Sequence, residues 1–167
     1  MRVLVIYTTR HGTSQMIART IQHSSSHQVR LHNLKSNKQP DLIHQDLIIL
    51  GTSIHAGRIP KRVRRFIKKN HKHLLSKPLA IYMCCMDMEN SRKQMEENFP
   101  EELREHALEF TCLGGEFLFD KMSKLEKTIV KKIAGVDDST SNLRHDALES
   151  FIQSINHLSV ENSKVTI

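Results

Sequence analysis

Four uninterrupted apolar runs set the strongest limit on the fold: "RVLVIY" at 2–7, "QDLIILG" at 45–51, "LAIYMCC" at 79–85 and "LEFTCLGG" at 108–115. They read as continuous, without the apolar–polar alternation of a strand that is wet on one face, although Glu109 and Thr111 interrupt the fourth. Continuous apolarity belongs to strands covered on both faces, as in a parallel sheet. A fifth run, "HQVRLHNL" at 27–34, does alternate through Val29 and Leu31 and is expected at a sheet edge. Helical spacing recurs between the runs: Met16, Ile17, Thr20 and Ile21; Val63, Phe66, Ile67 and Leu74 behind Pro60; a stretch at 89–107; and Leu143, Ala147, Leu148, Phe151, Ile152 and Ile155 within 142–158. Strand and helix alternate along the chain, and right-handed crossovers then put helices on both faces. The expected class is α/β, a three-layer sandwich around a five-stranded parallel sheet.

A chain of 167 residues suits one domain, expected over 1–158. One segment does not fit simple alternation. "EFLFDKMSKLEKTIVKKIAGV" follows the last strand, and 119–136 is expected to be an inserted helix, with Met122, Leu125, Ile129 and Val130 on one side and lysines on the others. "DDSTSN" at 137–142 reads as a loop and 159–167 as a polar tail.

With 38% hydrophobic and 26% charged residues, the composition is that of an ordinary soluble protein. No window approaches the roughly 18 apolar residues of a membrane span, and "VLVIY" is too short for a signal-peptide core, so a cytoplasmic location is expected. Cys84, Cys85 and Cys112 lack CxxC spacing and are expected to be reduced and packed, without a metal site. The net charge of +7, with eleven histidines in reserve, calls for an anionic partner. A phosphorylated cofactor, a carboxylated substrate and an anionic membrane surface all qualify. Nucleic acid is disfavoured, because the basic residues lack interleaved aromatics and no nucleic-acid-reading motif is present. "KRVRRFIKK" at 61–69 has six basic residues in nine and reads either as an anion-contacting face or as the solvated side of a helix over the sheet.

The loop after the first strand, Thr8 to Ser14, joins hydroxyls, Arg10, His11 and one glycine to the start of a helix. Ligands of open parallel sheets bind beyond the strand C-termini, and a helix N-terminus favours an anion there. The nucleoside-triphosphate loop (GxxxxGK followed by Ser or Thr) and the dinucleotide GxGxxG are both absent, which leaves a monophosphate as the best-fitting anion. The plainer alternative is a turn and helix cap, with Thr13 or Ser14 capping.

"VLVIYTTRHGTSQMIA" resembles the first strand, phosphate loop and first helix of flavodoxins, whose loop reads Ser/Thr-x-Ser/Thr-Gly-x-Ser/Thr. Thr9, Gly12 and Ser14 match, and His11 departs from the usual hydroxyl. The Thr-Arg-x-Gly variant is more similar to the flavodoxin-like, menaquinone-dependent protoporphyrinogen IX dehydrogenases. That resemblance continues through "LIILGTSIHAGRIPKRVRRFIKK" at 47–69 and "LGGEF" at 113–117. It implies strand order 2-1-3-4-5 and FMN at the point where that order reverses. Thr9, Arg10, His11, Gly12, Thr13 and Ser14 would surround the phosphate. Thr52, Ser53, Ile54, His55, Ala56 and Gly57, with Cys85, Met86, Asp87, Met88 and Asn90, would flank the ring. His55 and Arg58 are the candidate catalytic groups, steering a propionate or balancing flavin charge.

Electron-carrying flavodoxins are acidic and stack aromatics on the flavin. This chain is basic, has no Trp, and keeps Tyr7 and Tyr82 inside expected strands. The resemblance therefore implies oxidation of protoporphyrinogen IX to protoporphyrin IX in haem biosynthesis, with a quinone as acceptor and peripheral contact with an anionic membrane. Two alternatives stay open: an electron carrier or quinone reductase, and a flavodoxin-like binding module without cofactor.

Overall fold

The computed structural model describes residues 1–36 and 38–158. The tail expected at 159–167 lies outside the described residues. In chain order the elements are β1 (Arg2–Tyr7), α1 (Thr13–Ser24), β2 (Gln28–Asn33), β3 (Leu47–Ser53), α2 (Lys61–Leu75), β4 (Leu79–Cys84), α3 (Ser91–Asn98), α4 (Glu101–His106), β5 (Glu109–Cys112), β6 (Glu116–Phe117), a 3₁₀ turn (Phe119–Lys121), α5 (Lys124–Ala134), β7 (Thr140–Ser141) and α6 (His145–Asn156).

β1 to β5 form one parallel sheet in the order β2-β1-β3-β4-β5, as expected. Successive side chains of a strand point to opposite faces, so a strand covered on both sides must be apolar at every position. Leu4, Ile6, Ile48, Leu50 and Ile81 face one core with Val63 and Ile67 of α2 and Leu103 of α4. Val3, Val5, Ile49 and Tyr82 face the other with Ile17 and Ile21 of α1 and Phe151, Ile152 and Ile155 of α6. β2 pairs only with β1, and its partial burial accounts for its alternating sequence.

Four expectations need correction. β5 pairs only with β4 and is half-buried at Glu109, Phe110 and Thr111, so its run is an edge strand and not one covered on both faces. Strand and helix do not alternate between β2 and β3: the described residues of 34–46 carry no helix, and the chain turns at once as the Asn33 carbonyl and side chain accept from Ser36 and Lys35 N–H. The helix expected at 89–107 is two helices. Pro100 has no N–H and holds Phe99 extended, at φ −121 and ψ 135, which ends α3 and starts α4 afresh. The last strand is shorter than 108–115. At Gly114 φ is 73, and a Cβ there would overlap the Asn142 carbonyl, so the strand ends where the returning chain crosses it.

That return closes the inserted segment. Glu116 pairs with Ser141 and Phe117 with Thr140 as a short antiparallel ribbon, so "DDSTSN" is not wholly loop. α5 starts at a capping box in which Glu126 N–H donates to Ser123 Oγ and Ser123 N–H to the Glu126 carboxylate. Its apolar stripe does not pack inward as a core face would: Leu125 is 70% exposed and Ile129 46%. Ser123→Ala should cost about 1 kcal/mol of helix stability and speed amide exchange in α5 roughly fivefold, while β4 amides keep their protection. Among the described residues no helix is long and apolar enough to cross a membrane.

Candidate functional site

β1, β3 and β4 end side by side, and the loops that follow them, 8–12, 54–60 and 85–90, share one end of the sheet. The order reverses between β1 and β3, where a doubly wound sheet leaves its crevice. Gly12 begins α1 at φ 112, and no side chain caps the helix, so the expectation of a Thr13 or Ser14 cap fails. Thr9 Oγ1 instead accepts from Gly12 N–H at 2.9 Å, which leaves its own proton free to donate. The first-turn N–H groups of α1 have no intrahelical acceptor and carry the positive end of the helix dipole.

The other loop hydroxyls are engaged from below and beside. Ser14 is fully buried, with its Oγ 2.7 Å from Ser53 Oγ, and its carbonyl accepts from Tyr82 OH at 2.8 Å. Tyr82 thus fixes the first turn of α1 from inside the sheet. Thr13 Oγ1 donates to Glu116 at 3.2 Å.

The inserted segment covers the loop. Lys121 Nζ stands 3.1 Å from where a Cβ on Gly12 would sit, and the Lys121 carbonyl lies 3.2 Å from His11 Nδ1. Glu126 pairs with Arg10 at 2.6 Å and with His11 Nε2 at 3.3 Å. The Ser123 N–H and hydroxyl hold the Glu126 carboxyl below its usual range. Residues 10, 11, 116, 121 and 126 thus form one charged cluster assembled over more than 100 positions of sequence. Capping-box spacing made Glu126 legible as a helix start, but nothing local to it pointed to Arg10.

After β3 the chain makes a two-residue turn in which His55 and Arg58 exchange backbone hydrogen bonds at 2.9 and 3.1 Å. Both central residues, Ala56 at φ 48 and Gly57 at φ 73, are left-handed, the geometry of a type I′ turn. The His55 ring stands edge-on to His11, centroids 6.0 Å apart, so this turn reaches the phosphate loop. Burial first, then the positive charge of Arg10 and His11, pulls the His55 pKa down to about 4, and the ring is neutral at pH 7. Arg58 points to solvent. Thr52 is fully buried within β3, so its side chain is withdrawn from the loops, whereas Ser53 reaches Ser14. Asn98 of α3 braces the turn from outside, donating to the Gly57 carbonyl and accepting from Ile59 N–H. Asn98 lies in a stretch that reads simply as helix.

In the third loop, Asp87 accepts from Asn90 and Gln94, which ties the loop to the start of α3. Met86 is half-buried and Asp87 and Asn90 exposed, while Cys85 is buried and Met88 packs with Ile54 against the core.

A parallel sheet in this order, with a glycine-opened and uncapped helix N-terminus at its reversal point, defines a flavodoxin-type phosphate site. The chain belongs to the flavodoxin domain family Flavodoxin_5, whose model matches residues 4–143. It is similar in fold to the WrbA-like flavodoxin of Agrobacterium tumefaciens, at 13% identity and a TM-score of 0.57 over 98% of this chain and 97% of that one. Oxidised flavodoxin 1 of Bacillus cereus gives 15% identity and 0.55 over 95% and 100%. Rubredoxin oxygen:oxidoreductase of Desulfovibrio gigas gives 12% identity and 0.59 over 99% of this chain, which spans 37% of that protein. At such identities the likeness is one of fold. No curated protein matches the chain.

Family membership supports FMN binding, and the donor set fits a phosphate. The Thr9 hydroxyl, the α1 N–H groups and the Lys121 ammonium stand around Gly12, and Arg10 of the same loop is held on Glu126, with Glu116 and Glu126 as competing anions.

Proposed function

We propose that this chain is an FMN-dependent oxidoreductase that withdraws hydride from protoporphyrinogen IX and passes the electrons to a quinone. The observation that carries the flavin part is the uncapped start of α1 behind Gly12, a backbone anion site at the reversal point of the sheet. The porphyrin and quinone part draws on the resemblance of "TTRHGTS" and "LGGEF" and on the charge of +7. FMN supplies the hydride and electron-transfer chemistry, and the protein supplies orientation and electrostatics.

The residues divide the work by position. Thr9, Arg10, Lys121 and the first turn of α1 would hold the phosphate. Gly57, braced by Asn98, and residues 85–90 would flank the ring. Neutral His55 would add no charge beside it, and exposed Arg58 would meet a propionate. A cavity of about 330 Å³ between α2 and the β2–β3 connection, lined by Lys38, Arg62, Arg65 and Lys69, adds positive field for a carboxylated substrate. Exposed Leu125 and Ile129 among lysines suit contact with an anionic membrane that carries quinone, at about 1 kcal/mol per basic residue.

A visible spectrum of the purified protein, followed by FMN titration, tests the cofactor. Oxidised flavin bands or quenched FMN fluorescence are expected. Gly12→Ala should weaken FMN binding roughly tenfold to a hundredfold, because φ 112 strains alanine and its methyl would crowd Lys121 Nζ. FMN-loaded protein mixed anaerobically with protoporphyrinogen IX and a menaquinone analogue should develop porphyrin fluorescence. Flavin bands without porphyrin formation would remove the substrate and leave an electron carrier or quinone reductase. A second reading, a binding module without flavin, draws on Glu116 and Glu126, which take up Thr13, Arg10 and His11. A colourless protein that leaves FMN fluorescence unchanged would establish it.

A further inference from the structure

The three cysteines are chemically unequal. Cys84 faces α1, with Ser14 Oγ 3.6 Å from its sulfur, and burial pushes its thiol up to about 12. Cys85 and Cys112 face the opposite core, one at the end of β4 and one at the end of β5, and their sulfurs lie 2.8 Å apart. A bonded pair sits at about 2.05 Å and reacting atoms meet at about 3 to 3.5 Å, so these sulfurs already stand within attack distance. The approach follows from the end of β5. Leu113 N–H donates to Met83 in register, but Cys85 N–H then donates to Gly114, displaced by the left-handed turn there, which sets Cys85 against Cys112.

The surroundings separate attacker from resolver. Cys112 is held below its usual range, first by its hydrogen bond with Cys85, then by the Gly114 and Cys85 N–H groups and by Arg144. Cys85 is pushed up by that same hydrogen bond and by burial. The 86–88 turn lies against the pair: Cys85 Sγ is 3.6 Å from the Asp87 carbonyl and Cys112 Sγ is 3.6 Å from Met88 Sδ. Packing alone does not require two sulfurs closer than contact distance.

We propose that Cys85 and Cys112 are a redox-active dithiol that exchanges with low-molecular-weight disulfides and closes into an intramolecular disulfide at the mouth of the sheet. The Cys112 thiolate attacks one sulfur of the external disulfide, whose S–S bond breaks, and one thiolate leaves and takes up the proton that Cys112 gave. The Cys85 thiol then loses its proton and attacks the mixed-disulfide sulfur of Cys112, releasing the second thiol. The protein loses two electrons and two protons, and the small disulfide becomes two thiols. The bridge ties the loop after β4 to β5, so the stiffness of that loop follows the thiol poise of its surroundings.

The test uses the full chain with glutathione disulfide as the probe. After exposure, denaturation and alkylation, fragment-ion mass spectrometry should find Cys85 linked to Cys112 and only Cys84 alkylated. The rate should rise with pH as Cys112 gives up its proton, at a lower pH than an ordinary thiol requires. Cys85→Ser should trap glutathione on Cys112, and Cys84→Ser should leave the link intact. Alkylation of all three cysteines in the exposed wild-type chain, or a link that includes Cys84, would overturn the proposal. These results read the thiol linkage and not flavin binding, so the FMN reading stands or falls separately.

Discussion

Replacing Gly51 by alanine is expected to cost about 3 kcal/mol of folding stability, a large share of what a domain this size has to spare. Gly51 is paired with Tyr82 on the neighbouring strand, and a Cβ on it would overlap the Tyr82 ring. That ring cannot step aside cheaply: Tyr82 is fully buried, meets Phe151 edge-on at 6.2 Å, and delivers its hydroxyl to the Ser14 carbonyl at 2.8 Å. Moving it strands that hydroxyl in a dry interior, where a lost partner costs about 1 to 3 kcal/mol, and loosens the first turn of α1. Urea unfolding of Gly51→Ala, Tyr82→Leu and the double variant should show the double to be about 2 kcal/mol more stable than the sum of the singles. Additive costs would mean that the glycine is not there for the ring.

Acidification should destabilise the FMN-free protein through His55. The group ordinarily titrates near 6.5 and is pulled down to about 4 in the fold, so between these values the unfolded chain holds a proton there that the folded chain does not. Stability contributed by the neutral ring is therefore complete above pH 6.5 and declines as pH falls toward 4. The gap corresponds to at most about 3 kcal/mol. His32, also lowered by burial, slopes the same way, so the comparison that isolates His55 is wild type against His55→Asn. The variant should lose less stability between pH 7 and pH 4.5. In the folded wild type the ring proton resonances of His55 should stay unshifted until pH falls below about 5. A midpoint near 6.5 would contradict the burial that places His55 against His11.

The sheet was legible in the sequence because its cause is local: a strand covered on both faces is apolar at every position, and three such runs, with alternating runs for the two edges and helical spacing between them, admit few alternatives. The loop from Thr8 to Ser14 was legible for the same reason, since glycine, hydroxyls and a helix start are neighbours in the chain. Two departures from the simple pattern have causes as local as the pattern itself, a proline and a turn. The stretch at 89–107 has helical periodicity throughout, yet Pro100 divides it. The 34–46 connection takes no helix because turn hydrogen bonds begin at Asn33.

The sequence by itself determined the α/β class, the strands, the anion loop and the positive charge, all consequences of residue type and short-range spacing. Only the tertiary structure decided what surrounds that loop. Lys121 and Glu126 come to Arg10 and His11 from the inserted segment, Tyr82 comes up from the sheet, Asn98 reaches across to Gly57, and Cys112 meets Cys85. Each contact joins residues more than 20 positions apart. Such contacts depend on how strands register and where glycines let backbones cross, and no periodicity within a single segment encodes either.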